Sequence, residues 1–339
     1  MEIKEIGEFK LIEKMNRHIE TDERVFLGIG DDCAVTKFDS NSLLITTTDI
    51  LIEGVHFQLD QISPQQLALK SLAVNLSDIA SMGAVPLYAL VSLGIPSYIT
   101  VEFIDDFYKG LSEYSRKYNV SIIGGDTALS KSGLIINIVL LGEQFQDLII
   151  TRGGAQVGDS IFVTGTLGDS FAGLKVFDIK KKDKISPRLE KSADFVIKRH
   201  SFPSPRIEEG KFLAENQLAS SMIDLSDGIA SDIKRISEQS KVGARILTES
   251  IPISKEMKEL VNSFGEDPLE FALYGGEDYE LLFTVRKQDL ERLTTLKESL
   301  NTPISHIGEI VKLEEGINLV QKDNTLFPLD RTGYEHFKS

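Results

Sequence analysis

The sequence predicts an α/β protein in two domains. Apolar runs that read as strands alternate with helix signals, the alternation restarts at Ser160, and acidic residues follow glycines, serines and threonines at strand ends. At 339 residues the chain is long for one core. The stretch Gln144 to Asp159 has no strong periodicity, which places the boundary there and gives domains 1–145 and 146–339.

In chain order, Ser42 to Ile45 reads as a strand. Ser63 to Met82 reads as a helix: Ser63 caps it, Pro64 fits its first turn, apolar side chains recur at Leu69, Leu72, Leu76 and Ile79, and Gly83 stops it. Ser71, Asn75 and Asp78 fall on one stripe of that helix, and a polar stripe on so apolar a helix is not expected to face solvent alone. Val85 to Gly94 reads as a strand, Val101 to Tyr118 as an amphipathic helix, and Val120 to Ile123 and Leu134 to Leu141 as strands. In the second half, the strand Ser160 to Thr164 leads through Gly165-Thr166-Leu167-Gly168-Asp169 into a helix from Ser170. That turn reads equally as a phosphate cradle and as a tight strand-to-helix connection. Lys180 to Lys184 reads as a solvated charged loop, within a region to Ser192 that carries no usable signature. Arg199 to Arg206, with Pro203 and Pro205, reads as an extended connector. Strand, turn and helix recur at Met222 to Ser237, with Ser226 as the expected N-cap, and Tyr279 to Val285 is a further strand.

A formal net charge of -15 weighs against nucleic-acid binding, because a phosphate backbone calls for a basic surface. It does not weigh against ATP, since bound Mg²⁺ reverses the local sign. Cys33 is the single cysteine; it excludes an intrachain disulfide or a multi-thiolate metal site, fits a reducing cytoplasm, and reads as a small core residue. Met1 to Glu20 has no apolar signal core, and Leu134 to Leu141 is too short to span a bilayer, so no membrane role is expected.

Six motifs join acids to turn-forming residues: Gly30-Asp31-Asp32, Thr46-Thr47-Thr48-Asp49, Asn75-Leu76-Ser77-Asp78, Gly124-Gly125-Asp126, Asp224-Leu225-Ser226-Asp227-Gly228 and Gly275-Gly276-Glu277-Asp278. Taken singly, each reads as an Asp-rich turn. Gathered together, each like-charged pair would cost about 4 kcal/mol at ~4 Å and an effective dielectric near 20, so protons or cations must neutralise them. Hard oxygen ligands with no second cysteine and little histidine point to Mg²⁺, and Mg²⁺ to a phosphorylated substrate. There is no G-x-x-x-x-G-K-[ST], complete dinucleotide fingerprint, H-E-x-x-H or G-x-S-x-G, so a nucleotide site here uses another architecture.

Gly28-Ile29-Gly30-Asp31-Asp32-Cys33-Ala34, Thr48-Asp49, Gly54-Val55-His56-Phe57, Ala73-Val74-Asn75-Leu76-Ser77-Asp78 and Ile123-Gly124-Gly125-Asp126-Thr127 together resemble the thiamine-monophosphate kinase family. So do Thr151-Arg152, Lys198-Arg199-His200, Pro203-Ser204-Pro205-Arg206, Gly275 to Leu281 and Gly333-Tyr334-Glu335-His336-Phe337. The resemblance spans nearly the whole chain in order. It implies a two-domain, aminoimidazole-ribonucleotide-synthetase-like fold with mixed α/β and α+β sheets, an N-terminal domain that pairs across a homodimer, and phosphorylation of thiamine monophosphate by ATP with several Mg²⁺ ions. By motif position it implies Asp32, Thr47, Thr48, Asp49, Asp78, Asp126, Asp224 and Asp227 as metal ligands. It also implies Tyr108, Gly125, Asp126, Arg152 and Ser226 as ATP contacts, and His56, Glu277 and Tyr334 as contacts to thiamine monophosphate. Selenophosphate synthetase and the carbamoyl-dehydrating hydrogenase maturation protein share the superfamily but would carry a reactive N-terminal or C-terminal cysteine, which this chain lacks. Aminoimidazole ribonucleotide synthetase would not show the Gly-Gly-Glu-Asp-Tyr-Glu and Gly-Tyr-Glu-His-Phe segments.

Overall fold

The computed structural model of the chain describes residues 10–12, 16, 22–39, 41–182 and 185–334. Most of Met1 to Glu20, the Asp183-Lys184 end of the charged run, and Glu335-His336-Phe337 lie outside them. Among the described residues no helix is long and apolar enough to cross a membrane.

The first half is a six-stranded sheet in the order β1-β2-β3-β6-β4-β5, built from β1 (Val25–Leu27), β2 (Ala34–Lys37), β3 (Ser42–Ile52), β4 (Val85–Ile95), β5 (Ser121–Leu129) and β6 (Ile135–Phe145). All neighbours are antiparallel except β4 and β5. Helices α1 (Pro64–Ser81) and α2 (Val101–Lys117) pack together beside it. The cap expected at Ser63 is a full capping box: its hydroxyl accepts from the Gln66 N–H at 3.2 Å while the Gln66 side chain accepts from the Ser63 N–H at 2.8 Å. Leu67, Leu72, Leu76 and Ile79 are buried on α1, and so are Ser71 and Asn75, which places the polar stripe inside the molecule.

The second half is a seven-stranded sheet in the order β13-β12-β9-β11-β7-β10-β8. Its elements run β7 (Ser160–Thr164), α3 (Asp169–Lys182), α4 (Glu190–Ser201), α5 (Ile207–Glu215), β8 (Ala219–Asp224), α6 (Ile229–Ser240), β9 (Gly243–Leu247), α7 (Lys255–Ser263), α8 (Pro268–Tyr274), β10 (Leu281–Val285), α9 (Leu290–Leu296), β11 (Ile304–Val311), β12 (Ile317–Val320) and β13 (Leu326–Pro328). The largest apolar core is shared by the two halves: Leu72, Leu76 and Ile79 of α1 join Met222, Leu281 and Phe283 of β8 and β10 in one cluster.

Several local expectations are corrected. Asp49 and Asp126 lie within strands rather than at strand ends. Eleven-residue pairing of β3 with β6 carries the chain through Asp49, and tertiary pairing outweighs the poor strand propensity of aspartate. Beyond Ile123, β5 continues through Gly124-Gly125-Asp126 because Gly125, at φ 155°, lies so close to β4 that a Cβ would sit 1.8 Å from the Val91 carbonyl oxygen. The charged run is helical through Lys182, and α4 holds Arg199 to Ser201, so the extended connector is shorter than expected. The N-cap of α6 is Gly228, not Ser226, and the Asp232 carboxylate reaches back from the first turn to the Asp227 N–H at 3.3 Å.

Candidate active site

Helix α1 forms the spine of the site. Asn75 Oδ1 accepts from the Asp49 N–H of β3 at 3.2 Å, the Thr47 hydroxyl donates to Asp78 Oδ2, and the Ser77 hydroxyl donates to Asp224 Oδ2 at the end of β8 at 2.8 Å. Asp32, from the β1–β2 turn, completes a group in which Asp32, Asp78 and Asp224 each offer one oxygen, all within 4.8 Å of one another.

This arrangement is electrostatically unfavourable without a counter-charge. Burial, then the charge of Asp32, lifts the Asp31 and Asp49 carboxyls to about 6. Burial together with Asp49, Asp224 and Asp32 pushes Asp78 well above the usual carboxylate range, and burial together with Asp32 and Asp232 does the same to Asp224. Arg152 supplies part of the compensation. Its Nε donates to Asp32 Oδ1 at 3.0 Å and its backbone N–H to Asp31 Oδ2 at 3.1 Å. One guanidinium does not balance Asp31, Asp32, Asp49, Asp78 and Asp224, and Asp32 Oδ2 is buried with no hydrogen-bond partner. An all-oxygen, carboxylate-rich donor set with an orphaned oxygen fits a hard divalent cation such as Mg²⁺.

Thr48, Asp126, Gly125 and Tyr108 lie apart from this group, and Asp227 belongs to the second cluster described below. Thr48 points to the opposite face of the β3 pleat from Thr47, is exposed, and accepts from Asn137 Nδ2 at 2.9 Å. Asp126 lies on the exposed edge strand β5, its carboxylate accepting from the Thr127 N–H at 2.8 Å, with Gly125 beside it. Tyr108 lies on α2, edge-on to Phe107.

A second cluster forms around the loop before β10. The Gly276 backbone packs on the Ser226 carbonyl, where a Cβ would come within 2.4 Å, and the Glu277 N–H donates to that carbonyl at 2.8 Å. Asp227 pairs with Arg235, and its carbonyl accepts from the Tyr334 N–H at 3.3 Å, so Ser226, Asp227, Glu277 and Tyr334 share one neighbourhood. Glu277 meets Lys70 Nζ at 2.8 Å and His200 Nδ1 at 3.4 Å. Burial opposes its ionised form, but Lys70 and then His200 hold the carboxyl below its ordinary range. His56 Nδ1 accepts from the Ile52 N–H at 3.0 Å, which leaves the imidazole hydrogen on Nε2.

The turn from Gly165 to Ser170 donates from Gly168 N–H at 2.6 Å and Ser170 N–H at 3.2 Å to Asp278, so these N–H groups are engaged by the chain's own carboxyl, which burial lifts to about 8. The adjacent Glu280 is buried between Arg199 Nη2 and Arg206 Nε, each at 2.6 Å, and accepts from the Thr164 hydroxyl. Lys70 shapes the site and was not singled out in the sequence; His200, Asp278 and Glu280 lie in quoted motifs but had no role assigned. The usable signal for Lys70 was a lone cation in an apolar helix, seven positions before Ser77 on the same face.

Residues 30–144 match AIR synthase related protein, N-terminal domain, and residues 156–318 match AIR synthase related protein, C-terminal domain. The chain is 39% identical over 334 residues to the thiamine-monophosphate kinase of Buchnera aphidicola subsp. Schizaphis graminum, covering 98% of this chain and 99% of that protein. It is similar to the crystal structure of thiamine monophosphate kinase from Aquifex aeolicus, at 32% identity and TM-score 0.80, over 97% of this chain and 100% of that one. It is also similar to the structure of AaThiL complexed with AMPPCP and TMP, at 34% identity and TM-score 0.84, over 99% of each chain.

Proposed function

The chain belongs to the thiamine-monophosphate kinase family, and from that premise we propose that it transfers the γ-phosphoryl group of ATP to thiamine monophosphate, giving thiamine diphosphate. The observation that carries the reading is the buried convergence of Asp32, Asp78 and Asp224 beside Asp49, a few side chains from the Glu277 cluster.

The nucleophile is a phosphate oxygen of the substrate. A phosphomonoester with a second pKa of ~6 is already largely deprotonated at pH 7, so no general base is required and the chemistry is in-line transfer governed by positioning. Bound Mg²⁺ would supply charge neutralisation and polarisation of the phosphate oxygens. Asp32, Thr47, Thr48, Asp49, Asp78, Asp126, Asp224 and Asp227 would hold the ions, and the separation of Asp126 and Thr48 from the three-acid group is the reason to propose more than one. Tyr108, Gly125, Arg152 and Ser226 would contact ATP. His56, Glu277 and Tyr334 would contact thiamine monophosphate, with Glu277 opposite the thiazolium cation and Tyr334 offering an aromatic face.

A coupled ADP-release assay tests this. ADP should form with thiamine monophosphate and not with free thiamine, whose hydroxyl falls a phosphate's length short of the γ-phosphate. Equal rates with both, or no ADP with the monophosphate, would overturn the reading.

We further propose a cytoplasmic homodimer joined through the six-stranded sheet. Its edge strand β5 presents Ile123 at 57% and Leu129 at 74% exposure, and Ile50 and Tyr88 are exposed on β3 and β4; an uncovered apolar strand edge is the kind of surface a second copy covers. Light scattering at micromolar concentration should give twice the 37.6 kDa of one chain, and a mass of one chain would exclude the dimer.

A further inference from the structure

Lys70 is 1% exposed on α1, with its ammonium inside the molecule. A buried ammonium is costly unless each of its hydrogens finds an acceptor. Three acceptors surround Nζ: Glu277 Oε1 at 2.8 Å, the His56 carbonyl oxygen at 3.4 Å and His200 Nε2 at 3.4 Å. This accounts for all three N–H groups and leaves none for a phosphate oxygen. It also assigns the His200 tautomer. Because Nε2 accepts from an ammonium, the hydrogen resides on Nδ1, which faces Glu277 Oε2 at 3.4 Å and Ser170 Oγ at 3.1 Å. Burial and then Lys70 hold the His200 imidazole down to about 4, in agreement with a neutral ring. Glu277 is therefore gripped at both oxygens, in a loop where its own φ of 65° is one that side-chain-bearing residues seldom adopt.

Resting on the functional reading above, we propose that Lys70 is a positioning residue for the substrate side of the site: one ammonium orients the Glu277 carboxylate from the second half of the chain and the His56 turn from the first. His200 is the neutral bridge that fixes the other carboxylate oxygen. Lys70 itself does not touch substrate. It sets where the carboxylate that faces the thiazolium stands, so its loss should weaken recognition of thiamine monophosphate and leave ATP recognition nearly unchanged.

The test is a double-mutant cycle on the full-length enzyme, with KM and kcat read for each substrate and thiamine monophosphate binding measured by calorimetry. Lys70→Met should raise KM for thiamine monophosphate by ~10-fold or more while KM for ATP moves by less than about twofold. In a Glu277→Gln background, Lys70→Met should add less than about twofold, because it acts through that carboxylate. Lys70→Gln, which keeps a buried donor, should fall between wild type and Lys70→Met, and it decides the matter if Lys70→Met does not fold. An unchanged KM for thiamine monophosphate in a folded Lys70 variant, or a full additional effect on top of Glu277→Gln, overturns the inference alone. A wild-type protein that neither binds nor phosphorylates thiamine monophosphate overturns the functional reading, and this inference with it.

Discussion

Asp78→Asn is expected to lower kcat by ~100-fold or more while raising the melting temperature of the metal-free protein. The two effects have one cause. Asp78 shares an enclosed space with Asp32, Asp49 and Asp224, and its carboxyl is pushed well above the usual range by burial and by those neighbours. A carboxyl whose folded pKa exceeds its unfolded value favours the folded state below the unfolded pKa, and that contribution is lost as pH rises through the folded value. For Asp31 and Asp49 the window runs from about 4 to about 6, so near neutral pH the metal-free site opposes folding. Amide substitution removes the cost of burying an ionisable carboxyl among other acids and keeps an acceptor for the Thr47 hydroxyl. It also removes the oxygen charge that would hold a cation against the transferring phosphate. Differential scanning calorimetry with and without Mg²⁺, beside steady-state rates, reads both effects. Wild-type turnover, or a metal-free melting temperature lower than wild type, would exclude Asp78 from the charged cluster's catalytic role.

Glu280→Ala is expected to cost ~3–5 kcal/mol, a fall of about 4–7 °C in melting temperature. Glu280 is fully buried and is the shared partner of Arg199 on α4 and Arg206 just before α5. Truncation would leave two guanidinium groups in the interior without their carboxylate, and that orphaning accounts for most of the loss. The Glu280 carboxyl is held below its ordinary value: burial opposes ionisation, and Arg206 followed by Arg199 overcomes it. Its stabilisation is therefore present above the unfolded pKa near 4.5 and lost only as pH falls through the lower folded value, so the variant and wild type should differ fully at pH 7. Thermal denaturation followed by circular dichroism decides this, and a shift of less than about 2 °C would show that the arginines find other partners.

Local chemistry was legible in the sequence and long-range pairing was not. The capping box at Ser63 and Gln66, the termination at Gly83 and the inward polar stripe of α1 depend on residues within a few positions of one another. The strand status of Asp49 and Asp126 depends on β6 and β4 lying alongside, which no nearby residue announces. The acids themselves were visible as motifs, and the structure brings Asp32, Asp78 and Asp224 together as a group. Lys70 escaped notice because the partners that justify a buried cation, His200 and Glu277, come from the other half of the chain. Asp278 was visible as a motif acid, but its partner was not: the Gly165 to Ser170 turn has the composition of a phosphate loop, and composition alone does not reveal that the anion is internal.

Helix α1 carries Lys70 at its seventh position and Asp78 in its last turn, on a single uninterrupted run of hydrogen-bonded turns. Eight residues of helical rise separate them, roughly 12 Å along the axis. On the proposed reading, the cation that orients Glu277 and one acid of the Asp32, Asp78 and Asp224 group are therefore mounted on one measuring rod. The length of that rod is fixed by the unbroken backbone of the helix. Length itself would then be a selection criterion, set by the backbone. On that reading, a molecule one phosphate too short would leave a gap at the acidic end of the rod.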